Sequence, residues 1–262
     1  MKTINQTRKP KISVVIPTYN EEINLKTTLL AVKKQQCNFH YEIVVVDGQS
    51  TDNTVNIAKS FENVYVYISP QKGKAFQLNY AAPKTSSDLI LFLDADTFIE
   101  PFFLQKIVKI FNKKKNLFAC SARFNYYDGK ALTFKIGSIR FIITSYFFFN
   151  VNIQLWYFFK TLLGYPELSG CNIIVRRDIF FKAGGFKQPP KSLGIDKIFS
   201  DSLLYLIKKL KRDKIKGKIR TLNFVSVLTS GRHLNFRRSL NRVNQYFSQK
   251  EIYYELAKKI EL

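Results

Sequence analysis

Three carboxylates stand where apolar runs end. Asp47 closes "YEIVVVD", and Asp94 and Asp96 follow the run Leu89 to Leu93 in "LILFLDADTFIEP". Runs of this kind suit strands buried on both faces, as in a parallel sheet. Acidic side chains placed where such strands leave the core gather at one end of the sheet. Their mutual repulsion is relieved by a hard divalent cation with oxygen ligands, which also bridges to phosphate. The residue types and their placement therefore predict a site for a cation and a phosphate.

The elements that must position these residues alternate along the chain. "ISVVIP" (Ile12 to Pro17) reads as a first strand. Asn20 reads as a helix N-cap, with Glu21 and Glu22 in the first turn and apolar spacing continuing toward Val32. "YEIVVVDG" is a second strand, Asp52 or Asn53 caps the next helix, and "NVYVYI" is a third strand. "GKAFQLNYAA" reads as a helix that stops near Pro83, ahead of the strand at 89–93. The alternation predicts an α/β, Rossmann-like fold: a mostly parallel sheet flanked by helices, up to about residue 115. In such sheets ligands lie outside the carboxyl ends of the strands. The loops after Pro17 and Ile68 should thus join Asp47, Asp94 and Asp96 around one crevice.

Beyond Leu117 the pattern changes. "LFACSARFNYY" reads as another strand, and residues 141–163 carry no acid and one lysine. That length suffices to cross a bilayer, but Thr144, Ser145, Asn150, Asn152, Gln154 and Lys160 are spread around the helical wheel. A membrane span, a buried core helix and an interfacial segment all remain open. In "FRRSLNRVNQYF", Phe236, Leu240, Val243 and Phe247 share one helical face with arginines around it. Residues 232–262 are accordingly expected to form a basic amphipathic helical extension.

Composition bounds the function. With 46% hydrophobic and 23% charged residues the 262-residue chain is globular, not disordered. Three cysteines without paired spacing exclude a disulfide framework or a zinc cluster. The net charge of +23 attracts polyanions of every kind: nucleic acid, anionic headgroups and nucleotide phosphates. Met1 to Lys11 is polar and basic without an apolar core, which predicts a cytoplasmic chain. Its basic clusters and the 141–163 segment predict peripheral contact with the anionic inner face of the cell membrane.

Taken together, "VVIPTYNEE", "IVVVDGQSTDNT", "KGKAFQLNYAA", "LFLDADT" and "GCNIIVRRDIFFKAGGF" resemble the family 2 glycosyltransferases of the GT-A fold, over roughly residues 11–235. The resemblance implies a single GT-A domain at 11–231, with a nucleotide-binding half at about 11–115 and an acceptor half at about 116–231. It implies inverting transfer from a nucleotide-diphosphate sugar to a hydroxyl of a lipid-linked or surface-glycan acceptor, assisted by Mn²⁺ or Mg²⁺. Pro17, Tyr19 and Glu21 then match the loop that holds the nucleoside, and Asp47 the Asp that faces the base. Lys74 matches the basic residue near the nucleotide, Asp94 lies near the ribose, and Asp96 holds the metal on the diphosphate. In "TSGRH", Arg232 is expected on the phosphates and His233 as a further metal ligand.

The resemblance also implies a general base at the head of a late helix, which is Asp201, with Asp196 in reserve. Ser200-Asp201 stands where the family carries Glu-Asp, and Gly48 replaces a second Asp after Asp47. UDP and GDP sugars therefore both stay open as donors. Two other classes compete: a nucleotidyltransferase that makes sugar nucleotides, and a non-enzymatic polyanion-binding protein. The first needs a glycine-rich loop after strand one, where this chain has "TYNEE". The second rests on charge alone, so weak and steeply salt-dependent nucleic-acid binding is expected, with no specific recognition.

Overall fold

The computed structural model describes residues 9–128, 131–136, 139–162, 165–188 and 194–232. Its elements are β1 (Ile12–Thr18), α1 (Leu25–Lys33), β2 (Tyr41–Asp47), α2 (Thr54–Lys59), β3 (Val64–Ile68), α3 (Lys74–Ala81), β4 (Leu89–Leu93), β5 (Thr97–Ile99) and α4 (Phe103–Lys113). They continue with β6 (Leu117–Tyr126), β7 (Ala131–Ile136), β8 (Ile139–Thr144), α5 (Ser145–Leu162), β9 (Asn172–Arg176), α6 (Arg177–Lys182), α7 (Ile195–Arg212) and β10 (Lys218–Thr229). Eight strands form one sheet in the order β3-β2-β1-β4-β9-β6-β10-β5, and β7 pairs with β8 in a separate antiparallel ribbon. Within the large sheet only β9 and β5 run against the rest. The α/β, mostly parallel architecture is as expected, and one sheet runs through both halves of the chain.

The apolar runs are continuous because the sheet is covered on both faces. Ile12, Val14 and Ile16 enter one core cluster while Val15 enters the other. Leu89, Leu91 and Leu93 likewise oppose Ile90 and Phe92. A side-chain period of two, with apolar residues at every position, requires helices on each side. At the switch between these faces the strands end, and the polar residues begin.

Several local expectations change. Asn20 is not an N-cap: it takes a positive φ of 53°, and α1 begins five residues later at Leu25. Asparagine tolerates this left-handed geometry, and its Oδ1 accepts the Thr51 N–H at 2.9 Å, tying two strand-end loops together. Glu21 and Glu22 therefore lie in the loop, outside the first turn of α1. At α2, Asp52 does cap, since its carboxylate accepts the Thr54 N–H at 3.0 Å. The "GGF" turn ends α6 with Gly184 and Gly185 at φ of 79° and 66°, which glycine adopts without strain.

The late helix also begins earlier than expected. It starts at Ile195, so Asp196 occupies its first turn and Asp201 its second. The apolar spacing Ile195, Phe199, Leu203, Leu206 carries the helix back past Asp201. For residues 141–163, no described helix is long and apolar enough to cross a membrane. Residues 233–262, with the expected amphipathic helix, lie outside the described residues.

Candidate active site

The turn after β4 sets the geometry of the crevice. The Thr97 N–H bonds the Asp94 carbonyl at 3.1 Å, and buried Ala95 is pinned to α1 through the Thr28 hydroxyl at 2.6 Å. Asp94 and Asp96 flank Ala95 and leave the core on the same side. Asp94 forms a close ion pair with Lys74 at the start of α3. The Lys74 ammonium also donates to the Gly170 carbonyl at 3.0 Å, just before β9. Asp196 packs against Gly170, where an added Cβ would lie 3.2 Å from its carboxyl carbon. Four elements distant in sequence thus meet: the β4 turn, α3, the entry to β9 and the head of α7.

On the other flank, Arg232 pairs closely with Glu21 and lies 3.3 Å from Asp96. The loop that carries Arg232 is held by Asp128, which accepts the Ser230 hydroxyl at 2.9 Å and the Gly231 N–H. The Thr97 and Thr229 hydroxyls meet at 2.8 Å beneath it, joining β5 to the end of β10. Tyr19 is exposed on the β1 loop with the Lys72 ammonium 5.3 Å from its ring centre. An open aromatic face beside cationic side chains suits a nucleobase.

The electrostatics are unbalanced. Burial raises the Asp96 carboxyl to about 6, and the Asp94 charge adds to the rise while Arg232 opposes it. Burial also pushes Asp196 up, eased by Lys74. For Lys74, burial works against the charge, but Asp94 and Asp196 outweigh it and hold the ammonium above its ordinary value. Glu21, Asp94, Asp96 and Asp196 face Lys74 and Arg232, so the cluster carries excess negative charge. Carboxylates of this kind are hard oxygen donors suited to Mn²⁺ or Mg²⁺. No three acidic, histidine or cysteine residues among those described stand close enough to enclose a cation. A cation held here would take its remaining ligands from an anionic substrate.

Of the residues singled out from sequence, Tyr19, Glu21, Lys74, Asp94, Asp96 and Arg232 come together at this crevice. Pro17 is buried within β1, and His233 lies outside the described residues. Asp47 lies deeper than the others. It is only 1% exposed, and its carboxylate accepts the Thr18 hydroxyl at 3.0 Å and the Ser50 N–H at 2.8 Å. With those partners it braces the loop between the ends of β1 and β2.

Asp201 lies elsewhere. It pairs closely with Lys197 on α7 and lines a cavity of about 60 Å³ with Lys160, Tyr165, Glu167 and Leu204. The early start of α7 moves it one turn beyond the crevice and puts Asp196 there.

Three positioning residues escaped the sequence reading. Asp128 follows a strand in "NYYDG", a turn signal that marks a loop but not its partner. Gln77 donates to the Thr18 and Val46 carbonyls at 2.6 and 2.9 Å, clasping the ends of β1 and β2. It also explains Gly48, where any Cβ would press on the Gln77 side chain at 3.0 Å. Glu167 forms a close ion pair with Lys160 across the end of α5, and no local pattern announces it.

Comparison with known proteins now bears on this geometry. The sequence model of the family described as Glycosyl transferase family 2 matches residues 13–182. The chain is 29% identical over 197 residues to the probable glycosyltransferase YdaM of Bacillus subtilis, covering 70% of this chain and 44% of that protein. It is 26% identical over 187 residues to the O-antigen chain rhamnosyltransferase WbaN of Salmonella anatum, covering 68% of this chain and 56% of that one. The chain thus spans about half the length of these curated relatives. A mannosyltransferase from Pyrobaculum calidifontis, solved in complex with GDP-Man and Mn²⁺, superposes with a TM-score of 0.64. That match covers 97% of this chain and 65% of the other at 19% identity, and it shares the GT-A arrangement of sheet and helices.

Proposed function

The chain belongs to glycosyl transferase family 2, and from that premise we propose that it moves a sugar from a nucleoside-diphosphate sugar to an acceptor hydroxyl, with inversion at the anomeric carbon. The observation that carries this reading is the crevice itself, where four carboxylates and two cations converge at strand ends. Tyr19 stacks on the base, and the Lys74–Asp94 pair lines the ribose and diphosphate. Arg232 exchanges its contact with Asp96 for the phosphate oxygens, which its planar fork fits. Asp96, with its unrelieved charge, holds Mn²⁺ or Mg²⁺, and Asp94 lies next to it. When bound, the cation neutralises negative charge that develops on the departing nucleoside diphosphate.

Asp196 is the general base in this proposal. Its carboxylate takes the proton of the acceptor hydroxyl, whose oxygen then bonds to the anomeric carbon. The bond from that carbon to the diphosphate oxygen breaks, and the nucleoside diphosphate leaves with the electron pair. The raised affinity of Asp196 for a proton suits this role, because a base is most effective near the working pH. A lipid-linked or glycan acceptor would approach from the side of α7 and the entry to β9. Neither the nucleotidyltransferase reading nor the polyanion-binding reading gains support from the crevice or from the relatives.

The test is release of nucleoside diphosphate from a panel of UDP and GDP sugars. Turnover of one donor is expected, abolished by chelation and restored by Mn²⁺ or Mg²⁺. A folded protein that turns over no donor at any metal concentration would refute the reading.

A further inference from the structure

From Asn150 onward, the described side chains of α5 are turned inside out. Its inward face is largely polar: Asn150 exchanges hydrogen bonds of 2.8 and 3.2 Å with the Tyr126 backbone. Gln154 donates to the Phe124 carbonyl at 2.6 Å, and Lys160 pairs with Glu167. Among the described side chains of this stretch, Ile153 and Tyr157 bring apolar surface to the core. The opposite face carries Val151, Leu155, Phe158, Phe159 and Leu162, each between 46% and 71% exposed, and Trp156 stands at its flank with the Lys160 ammonium 4.8 Å from its ring centre. Spacing of i, i+4, i+7, i+8 and i+11 places these five on one stripe. Tyr165, just beyond the helix, is 70% exposed as well. A contiguous apolar and aromatic stripe of this size marks a surface that is covered in use.

Charge selects the occupant. The stretch 141–163 has no acidic residue, and the chain carries +23. A second copy would bring the same charge and be repelled, whereas an anionic surface is attracted. The stripe is one side of a helix too polar to cross a bilayer, and aromatic residues favour the headgroup boundary. We propose that the exposed face of α5 lies flat in the interface of an anionic lipid bilayer, with Leu155, Phe158, Phe159 and Leu162 embedded and Trp156 at the edge of the buried strip. The same segment continues through Tyr165 to Gly170, whose carbonyl receives Lys74, so the lipid surface would lie one short connection from the crevice. Delivery of a lipid-linked acceptor along that path rests on the transferase reading; the binding of lipid does not.

The chain has a single tryptophan, so emission comes from Trp156 alone, at the edge of this face. Full-length protein is titrated with vesicles of phosphatidylcholine, with and without phosphatidylglycerol, while Trp156 emission and acrylamide quenching are followed. The expected result is a blue shift and protection from quenching with phosphatidylglycerol vesicles. Phe158→Glu combined with Leu162→Glu should weaken vesicle binding about tenfold or more at unchanged melting temperature. Nucleotide-dependent stabilisation, which tests the crevice separately, should survive in that variant. The proposal is overturned if the variant binds equally well, if Trp156 emission does not move, or if neutral vesicles bind as tightly. It is also overturned if the wild type is a dimer that the double substitution converts to a monomer.

Discussion

Around the crevice, Glu21, Asp94, Asp96 and Asp196 meet Lys74 and Arg232. Around the small cavity one helical turn further along α7, Glu167 and Asp201 meet Lys160 and Lys197. Both groups mix the same residue types, and both lie at the same end of the fold. They differ in balance. The cavity group pairs Glu167 with Lys160 and Asp201 with Lys197 and leaves no net charge, although burial raises Glu167 as well and the neighbouring Asp196 adds to the rise. The crevice group leaves two negative charges over, and burial then pushes Asp96 to about 6. An imbalance maintained at a strand-end opening is what a cationic ligand relieves, so the two groups separate architecture from chemistry.

The largest expected effect tests that division at the base. Asp196→Asn should lower kcat by about 10²- to 10⁴-fold with little change in melting temperature. Asp201→Asn should leave kcat within a few-fold and slightly destabilise the fold, because Lys197 loses a partner that is itself a third exposed. Steady-state kinetics on both variants would reverse the assignment if Asp201→Asn were the inactive one.

The cavity group should reveal itself in stability. Lys160→Met leaves Glu167 charged and poorly solvated, and is expected to cost roughly 3–5 kcal/mol. Adding Glu167→Leu should recover much of that loss, which denaturant titration of the three variants would measure. If the single substitution were neutral, the group would not be structural.

A smaller effect follows from pH. In cation-free protein Asp96 holds its proton more tightly when folded, at about 6 against an ordinary 3.8. Its contribution to stability is fully present below about pH 4 and is lost as pH rises through about 6, amounting to at most about 3 kcal/mol. The difference in stability between wild type and Asp96→Asn should therefore shift over that window. A pH-independent difference would place Asp96 in a balanced environment like that of the cavity. Smallest of all, Tyr19→Ala should weaken nucleotide binding by about 1 kcal/mol through lost stacking, read by calorimetry.

Much of this was legible in the sequence, and unevenly so. The strands β1, β2 and β4 announce themselves because burial on both faces demands unbroken apolar runs. Their acidic ends mark the crevice because nothing else explains charge at that position. The helix start was placed late because Ser200-Asp201 looks like a helix head, while the apolar spacing from Ile195 carries α7 back by a turn and a half. The partners of Asp47 were not legible, because the sequence places it at a strand end without saying that Thr18 and Ser50 bond to its carboxylate. The three-residue strand β5 is too short to show a period, and Glu167 finds Lys160 only through the tertiary fold. Local pattern fixes elements; partners at long range need the packed chain.

The most direct test of the central claim is a thermal-shift comparison of wild type and Asp96→Ala with UDP, GDP and their sugars, each with and without Mn²⁺. A ligand that binds only the folded state must raise the melting temperature. Stabilisation by one nucleotide class that requires Mn²⁺ and disappears in Asp96→Ala is the result expected of a cation-diphosphate site. Stabilisation that is equal with and without metal, or that survives in Asp96→Ala, would contradict it.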